Sequence, residues 1–166
     1  MCYRHEAALV DSALAPSDAR TIVRRLCHEL HVEDVTDTAA LLTSELVTNA
    51  VQHAAGPLRL GVSCAHGRLV VSVSDADPQQ PRPRRAGAHE GGGRGLAIVA
   101  ALADRWGSRS LPDDGKAVWF ALRPDGSGAL RDGCGCADAS VDEGVAPTEP
   151  GSAEPRTRIP ASRRGS

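Results

Sequence analysis

Aromatic side chains are almost missing from this chain: Tyr3, Trp106, Trp119 and Phe120 are all that it carries. Without such stacking platforms, neither single-stranded nucleic acid nor RNA loops find a surface to lie on. A surplus of one charge is missing too, the formal net charge being −2, so the sequence has no electrostatic footprint for bulk nucleic-acid binding. No apolar run approaches the roughly 20 residues that span a bilayer, and no signal-peptide core follows Met1. The expected setting is therefore cytoplasmic, with no membrane and no direct nucleic-acid partner. The cysteines (Cys2, Cys27, Cys64, Cys134, Cys136) are odd in number and irregular in spacing. That pattern is neither a disulfide framework nor a zinc site. Cys134 and Cys136 form the one close pair, but they have no His nearby and fall in a stretch with little capacity to fold.

A chain of 166 residues can bury one sizeable core. Beyond Pro124 the composition changes: Leu130, Val141, Val145 and Ile159 are the large aliphatics among many Gly, Pro and Ser residues. Such a segment buries too little apolar surface to offset the entropy of ordering it. The sequence thus predicts a folded domain over residues 1–124 and a disordered tail over 125–166.

The domain is organised around Leu41–Ala54, a stretch free of Gly and Pro. It predicts one long helix, capped by Thr36 or Asp37 and ending near Gly56. At about 100° per residue, Leu41, Leu42, Leu46 and Ala50 share an apolar sector that also takes in Glu45 and Asn49, one turn apart, with His53 a turn further on. Burial without partners would cost several kcal/mol for the carboxylate and about 1–3 kcal/mol for the amide, so polar groups must meet them. Those groups are either a satisfied internal network or a metal and nucleotide site roofed by the helix.

Upstream, Tyr3–Val10 reads as an edge strand. Pro16-Ser17-Asp18 reads as a helix start with Ser17 as cap; Ile22, Val23, Leu26 and Leu30 form one apolar stripe, and Arg20, Arg24 and Arg25 face solvent. Downstream the period changes to two. Leu58, Leu60 and Val62, then Leu69, Val71 and Val73, predict an antiparallel hairpin turning at His66-Gly67. Asp75 shares the parity of the second strand's apolar residues, so it aims a carboxylate along the core face. On this pattern it is either a solvated strand end or a third polar group converging on the space below Glu45 and Asn49.

From Asp77 to Gly92 the chain has no periodicity and carries Pro78, Pro81 and Pro83 with Arg82, Arg84 and Arg85; a loop of that length in a compact domain is a lid or an excursion. It ends in Gly91-Gly92-Gly93-Arg94-Gly95, and Leu96, Val99 and Leu102 then begin a helical stripe. A glycine-rich turn feeding a helix N-terminus lets backbone N–H groups approach an anion. It matches neither the P-loop nor the dinucleotide-binding fingerprint. A strand near Arg105–Ser110, a turn at Pro112-Asp113-Asp114-Gly115 and a strand over Lys116–Arg123 close the domain. In the last strand both Val118, Phe120, Leu122 and Ala117, Trp119, Ala121 can be covered.

Taken together, these residues resemble the GHKL (Bergerat-fold) ATPases, the superfamily of histidine-kinase catalytic domains, Hsp90, gyrase and MutL. Glu45-Leu-Val-Thr-Asn49-Ala-Val-Gln-His53 resembles the N box, Val71-Ser-Val-Ser-Asp75 the G1 box, and Gly91-Gly-Gly-Arg-Gly95-Leu96 the G2 box after an ATP lid. The spacing and the ending Gly115-Lys-Ala-Val-Trp119-Phe120 are most similar to the small RsbW/SpoIIAB-type anti-sigma factor serine/threonine kinases, over about residues 5–123.

The resemblance implies an α/β (α+β) two-layer sandwich, a mixed and largely antiparallel sheet with helices on one face. It implies ATP and Mg²⁺ as cofactors. Glu45 would be the catalytic base or orient the attacking hydroxyl, Asn49 would carry Mg²⁺, and Asp75 would accept from the adenine amino group. Gly91, Gly93, Gly95, Leu96 and the helix start would hold the phosphates, with His53 and Arg94 candidates near them and Lys116 a candidate for the nucleotide site. Glycines usually follow the G1 aspartate, whereas Ala76-Asp77-Pro78 stands here. The length leaves no room for a complete sensor histidine kinase or for gyrase-like machinery. Two functions follow. One is an anti-sigma factor kinase that phosphorylates an antagonist protein. The other is an inactive, nucleotide-dependent module that sequesters a sigma factor or another partner. Small proteins of this family commonly dimerise, so a homodimer is a candidate as well.

Overall fold

Five strands and three helices make up the protein in a computed structural model that describes residues 4–53, 56–65, 67–79, 94–112 and 115–125. In chain order they are β1 (Arg4–Leu9), α1 (Ala15–Glu29), α2 (Thr36–His53), β2 (Leu58–Ala65), β3 (Arg68–Asp75), α3 (Arg94–Leu102), β4 (Arg105–Ser110) and β5 (Lys116–Leu122), with a short 3₁₀ turn at Glu33–Val35 leading into α2. Gly91, Gly93, most of the lid stretch, Cys134, Cys136 and residues 126–166 lie outside the described residues.

The strands lie in the order β1-β2-β3-β5-β4. Each pairing is antiparallel, which corrects the expectation of a partly mixed sheet. The reason is topological: the α3 crossover delivers the chain to the edge strand β4, and the hairpin back from β4 inserts β5 beside β3 in the opposite direction. Burial alternates strictly along β3, and Leu58, Leu60, Val62, Leu69, Val71, Val73, Val118, Phe120 and Leu122 join the buried residues of all three helices in one core. This is an α/β two-layer arrangement with helices on one face of the sheet.

The outer face is less regular. Ala117 and Ala121 are buried there beside Trp119, whose indole lies against Gly107: a Cβ added to that glycine would stand 3.0 Å from the ring. The expectation that both faces of the last strand are covered therefore holds, and cross-strand packing supplies the cover.

Two local expectations are corrected. Helix α1 starts at Ala15, its Ncap is Leu14, and no side chain caps it; Ser17 lies inside the first turn, where its carbonyl accepts from the Thr21 hydroxyl at 3.1 Å. Pro16 suits that first turn because its fixed φ is already helical and its missing N–H is not needed there. Thr36 does not cap α2 either, its hydroxyl donating back to the Val32 carbonyl at 3.4 Å. The helix runs to His53, in keeping with the expected end near Gly56, and Gly56 takes up the turn with φ of +117°, a backbone conformation that suits glycine.

Helix α2 is also rotated relative to the sector expected for it. Ala39, Ala40, Leu42, Thr43, Leu46, Val47 and Ala50 are its buried residues, while Leu41 is 42% exposed. Small residues carry much of the contact because α1 packs tightly alongside through Ala15, Ala19, Val23, Leu26 and Cys27. Glu45 and Asn49 consequently sit half-buried on the flank of the helix instead of in the core. Burial is the main effect raising the Cys27 thiol pKa, with a hydrogen bond to Thr36 opposing it, so this cysteine is a core residue rather than a nucleophile.

Candidate nucleotide site at the end of strand β3

Three glycine contacts and one charge cluster define the site. The first contact joins α2 to the start of α3. A Cβ built on Gly95 would stand 2.8 Å from Glu45 Oε2 and 3.3 Å from Glu45 Cβ, so α3 begins directly against the Glu45 side chain, at a place where only glycine fits without displacing it. Arg94, the first residue of α3, is exposed, whereas Leu96 is buried in the core. Any contact from Leu96 to an anion is therefore left to its backbone N–H. Asn49 and His53 follow Glu45 along α2 at one-turn intervals, Asn49 half-buried and His53 exposed.

At the other end, Asp75 terminates β3 on the core face, as its parity predicts, and is 5% exposed. Its cross-strand partner is Lys116, the first residue of β5. Lys116 Nζ lies 2.9 Å from Asp75 Oδ1 and 2.9 Å from Asp77 Oδ2, and it donates to the Asp77 carbonyl at 3.2 Å. The Asp77 N–H also donates to Asp75 Oδ1 at 2.9 Å. Where glycines were expected after the aspartate, the chain thus makes a side-chain-closed turn tied down by a buried ammonium. The Gln79 N–H donates to Asp77 Oδ1 at 3.0 Å, and this bond, followed by the one from Lys116, lowers the Asp77 pKa below the usual carboxylate value.

Two further glycines close the end of β3. A Cβ on Gly56 would meet the Ala76 Cβ at 2.9 Å, and a Cβ on Gly115 would run into the Asp75 carbonyl oxygen. The structure thus brings Glu45 together with Gly95, and Asp75 together with Lys116, while Asn49 and His53 follow Glu45 along α2. Lys116 was legible as a residue of this region, but its ion pair with Asp75 and Asp77 was not. The available signal was the directly opposed register of two oppositely charged residues at the end of one strand and the start of another.

The sequence matches the histidine kinase-like ATPase domain family over residues 11–122. The chain belongs to that family. The match spans everything from the loop after β1 to the last residue of β5, so it takes in Glu45, Asn49, Asp75, Gly95 and Lys116 alike. No curated protein matches the chain significantly. For an ATPase domain of this family, the space between the α2 flank, the start of α3 and the end of β3 is the candidate ATP site. No helix among the described residues is long and apolar enough to cross a membrane.

Proposed function

We propose that this ATPase domain is a cytoplasmic anti-sigma factor with serine/threonine protein kinase activity, which transfers the γ-phosphoryl group of ATP to a small antagonist protein. The observation that carries the reading is the contact of Glu45 with Gly95, which holds a half-buried carboxylate at the N-terminus of α3, one helical turn from Asn49. A carboxylate so placed can accept the proton of an attacking serine hydroxyl or orient it. The backbone N–H groups at the start of α3, with Gly91 and Gly93 before them, suit the phosphates, and the exposed side chains of His53 and Arg94 are further candidates for that region. Asp75 suits the exocyclic amino group of adenine as an acceptor.

The donor set fits Mg²⁺. Asn49 offers a hard amide oxygen, and among the described residues no three His, Cys, Asp or Glu side chains converge to make a metal cage of their own. That is the pattern expected of a cation held chiefly by phosphate oxygens and water with one protein ligand. When bound, the metal supplies neutralisation of the charge on the transferring phosphoryl oxygens.

A second reading is favoured by a different observation. Asp75 is engaged with Lys116 in a buried ion pair, which suits a rigid, structural nucleotide site in a module that sequesters a sigma factor without turnover. Incubating the purified protein with ATP labelled at the γ-phosphate and a candidate antagonist protein separates the two. Label on a serine or threonine of the antagonist is the expected result. Stable complex formation with a sigma factor, without label transfer or phosphate release, would leave the binding module as the correct reading.

A further inference from the structure

The buried lysine in this site has no donor left for a ligand. An ammonium group offers three N–H donors, and those of Lys116 are matched by three acceptors, Asp75 Oδ1, Asp77 Oδ2 and the Asp77 carbonyl. Its side chain is 3% exposed and that of Asp75 is 2% exposed. We infer that Lys116 is a positioning residue that sets base specificity: by pinning Asp75 as an acceptor-only carboxylate, it makes the site select a purine bearing an exocyclic amino group over one bearing an oxo group at the same position. The inference rests on the reading of this region as a nucleotide site.

The chemistry runs through Asp75. A carboxylate held by a cation at one oxygen accepts hydrogen bonds and donates none. Facing a 6-amino purine, it is paired; facing a 6-oxo purine, it sets acceptor against acceptor in a dry place, where an unmet polar contact costs about 10- to 100-fold in affinity. Asp77 takes part because it closes the turn: its N–H fills a second place on Asp75 Oδ1, and its carboxylate and carbonyl hold the ammonium where the backbone alone would not. Remove the lysine charge, and a buried carboxyl group without its cation can take up a proton. It then both donates and accepts, and an oxo group becomes as acceptable as an amino group.

The test compares ATP with ITP, which differ at that position, by calorimetric titration of the full chain and of Lys116→Met, with cooperative melting as the check that the variant is folded. Wild type is expected to bind ATP at least about tenfold more tightly than ITP. In Lys116→Met, ATP binding should weaken while ITP binding holds or tightens, bringing the ratio close to unity. Lys116→Gln, which retains a hydrogen-bond donor but no charge, should move the same way and serves if the methionine variant does not fold. A parallel loss of both affinities, or an unchanged ratio in a folded variant, would mean that Lys116 only supports the fold, and would overturn the inference while leaving the nucleotide reading intact. Wild type that binds neither nucleotide would overturn both.

Discussion

Replacing Glu45 by alanine is expected to lower phosphoryl transfer about 100-fold and to leave ATP binding near the wild-type level. That is the scale of a lost general base, and it falls on turnover alone because the carboxylate acts on the attacking hydroxyl and not on the nucleotide. Asn49→Ala is expected to behave differently: one turn along the same helix, it would remove the proposed oxygen ligand to Mg²⁺, so nucleotide binding should lose its dependence on the metal and transfer should fall with it. Gly95→Ala gives a milder form of the Glu45 result, since its methyl would press on the Glu45 carboxylate at 2.8 Å and displace it without removing it. The measurement is a single-turnover transfer assay beside a binding titration for each variant. If Glu45→Ala changes melting temperature but leaves transfer untouched, Glu45 is a packing residue and the kinase reading fails.

Gly115→Ala is expected to be the most damaging single methyl near the site. The added carbon would overlap the Asp75 carbonyl oxygen, a backbone atom that cannot rotate away, so either β3 or β5 must shift. Forcing such an overlap costs about 1–3 kcal/mol, which lowers the melting temperature of a domain of this size by several degrees. The shift also separates Asp75 from Lys116, because Gly115 directly precedes the lysine and the two charged residues are register partners. Nucleotide affinity therefore falls together with stability. Gly67→Ala is the control: its φ of +69° makes alanine costly in the turn, but it has open space around it and lies at the opposite end of the β2–β3 hairpin, so stability falls and nucleotide affinity does not. A Gly115→Ala protein with wild-type melting and binding would show that the end of β3 is less closely held than the contact implies.

Much of the architecture was legible because it is written in short-range periodicity. The period of two in Leu58–Val62 and Leu69–Val73 fixed which face each strand buries, and it carried Asp75 onto the core side where the structure has it. What failed in α2 and after Asp75 was decided by neighbours far away in sequence, and what failed at Ser17 by residues just before it. In α2 the large Leu41 looked like core, but α1 approaches so closely that alanines and Thr43 fill the contact and Leu41 is left outside. Ser17 looked like a cap, but the buried Ala15 and the helix-compatible Pro16 start the helix earlier. Most telling is the turn after Asp75. The missing glycines looked like a defect in the nucleotide pocket, yet Asp77 and Lys116 rebuild the turn with charge, a pairing between residues 39 positions apart that no local pattern announces.

The most direct test of the account is nucleotide binding by the full chain, read as a thermal shift with and without Mg²⁺. ATP and ADP are expected to raise the melting temperature, Mg²⁺ to enlarge the shift, and Asn49→Ala to abolish the enlargement. Absence of any shift at millimolar nucleotide would contradict it.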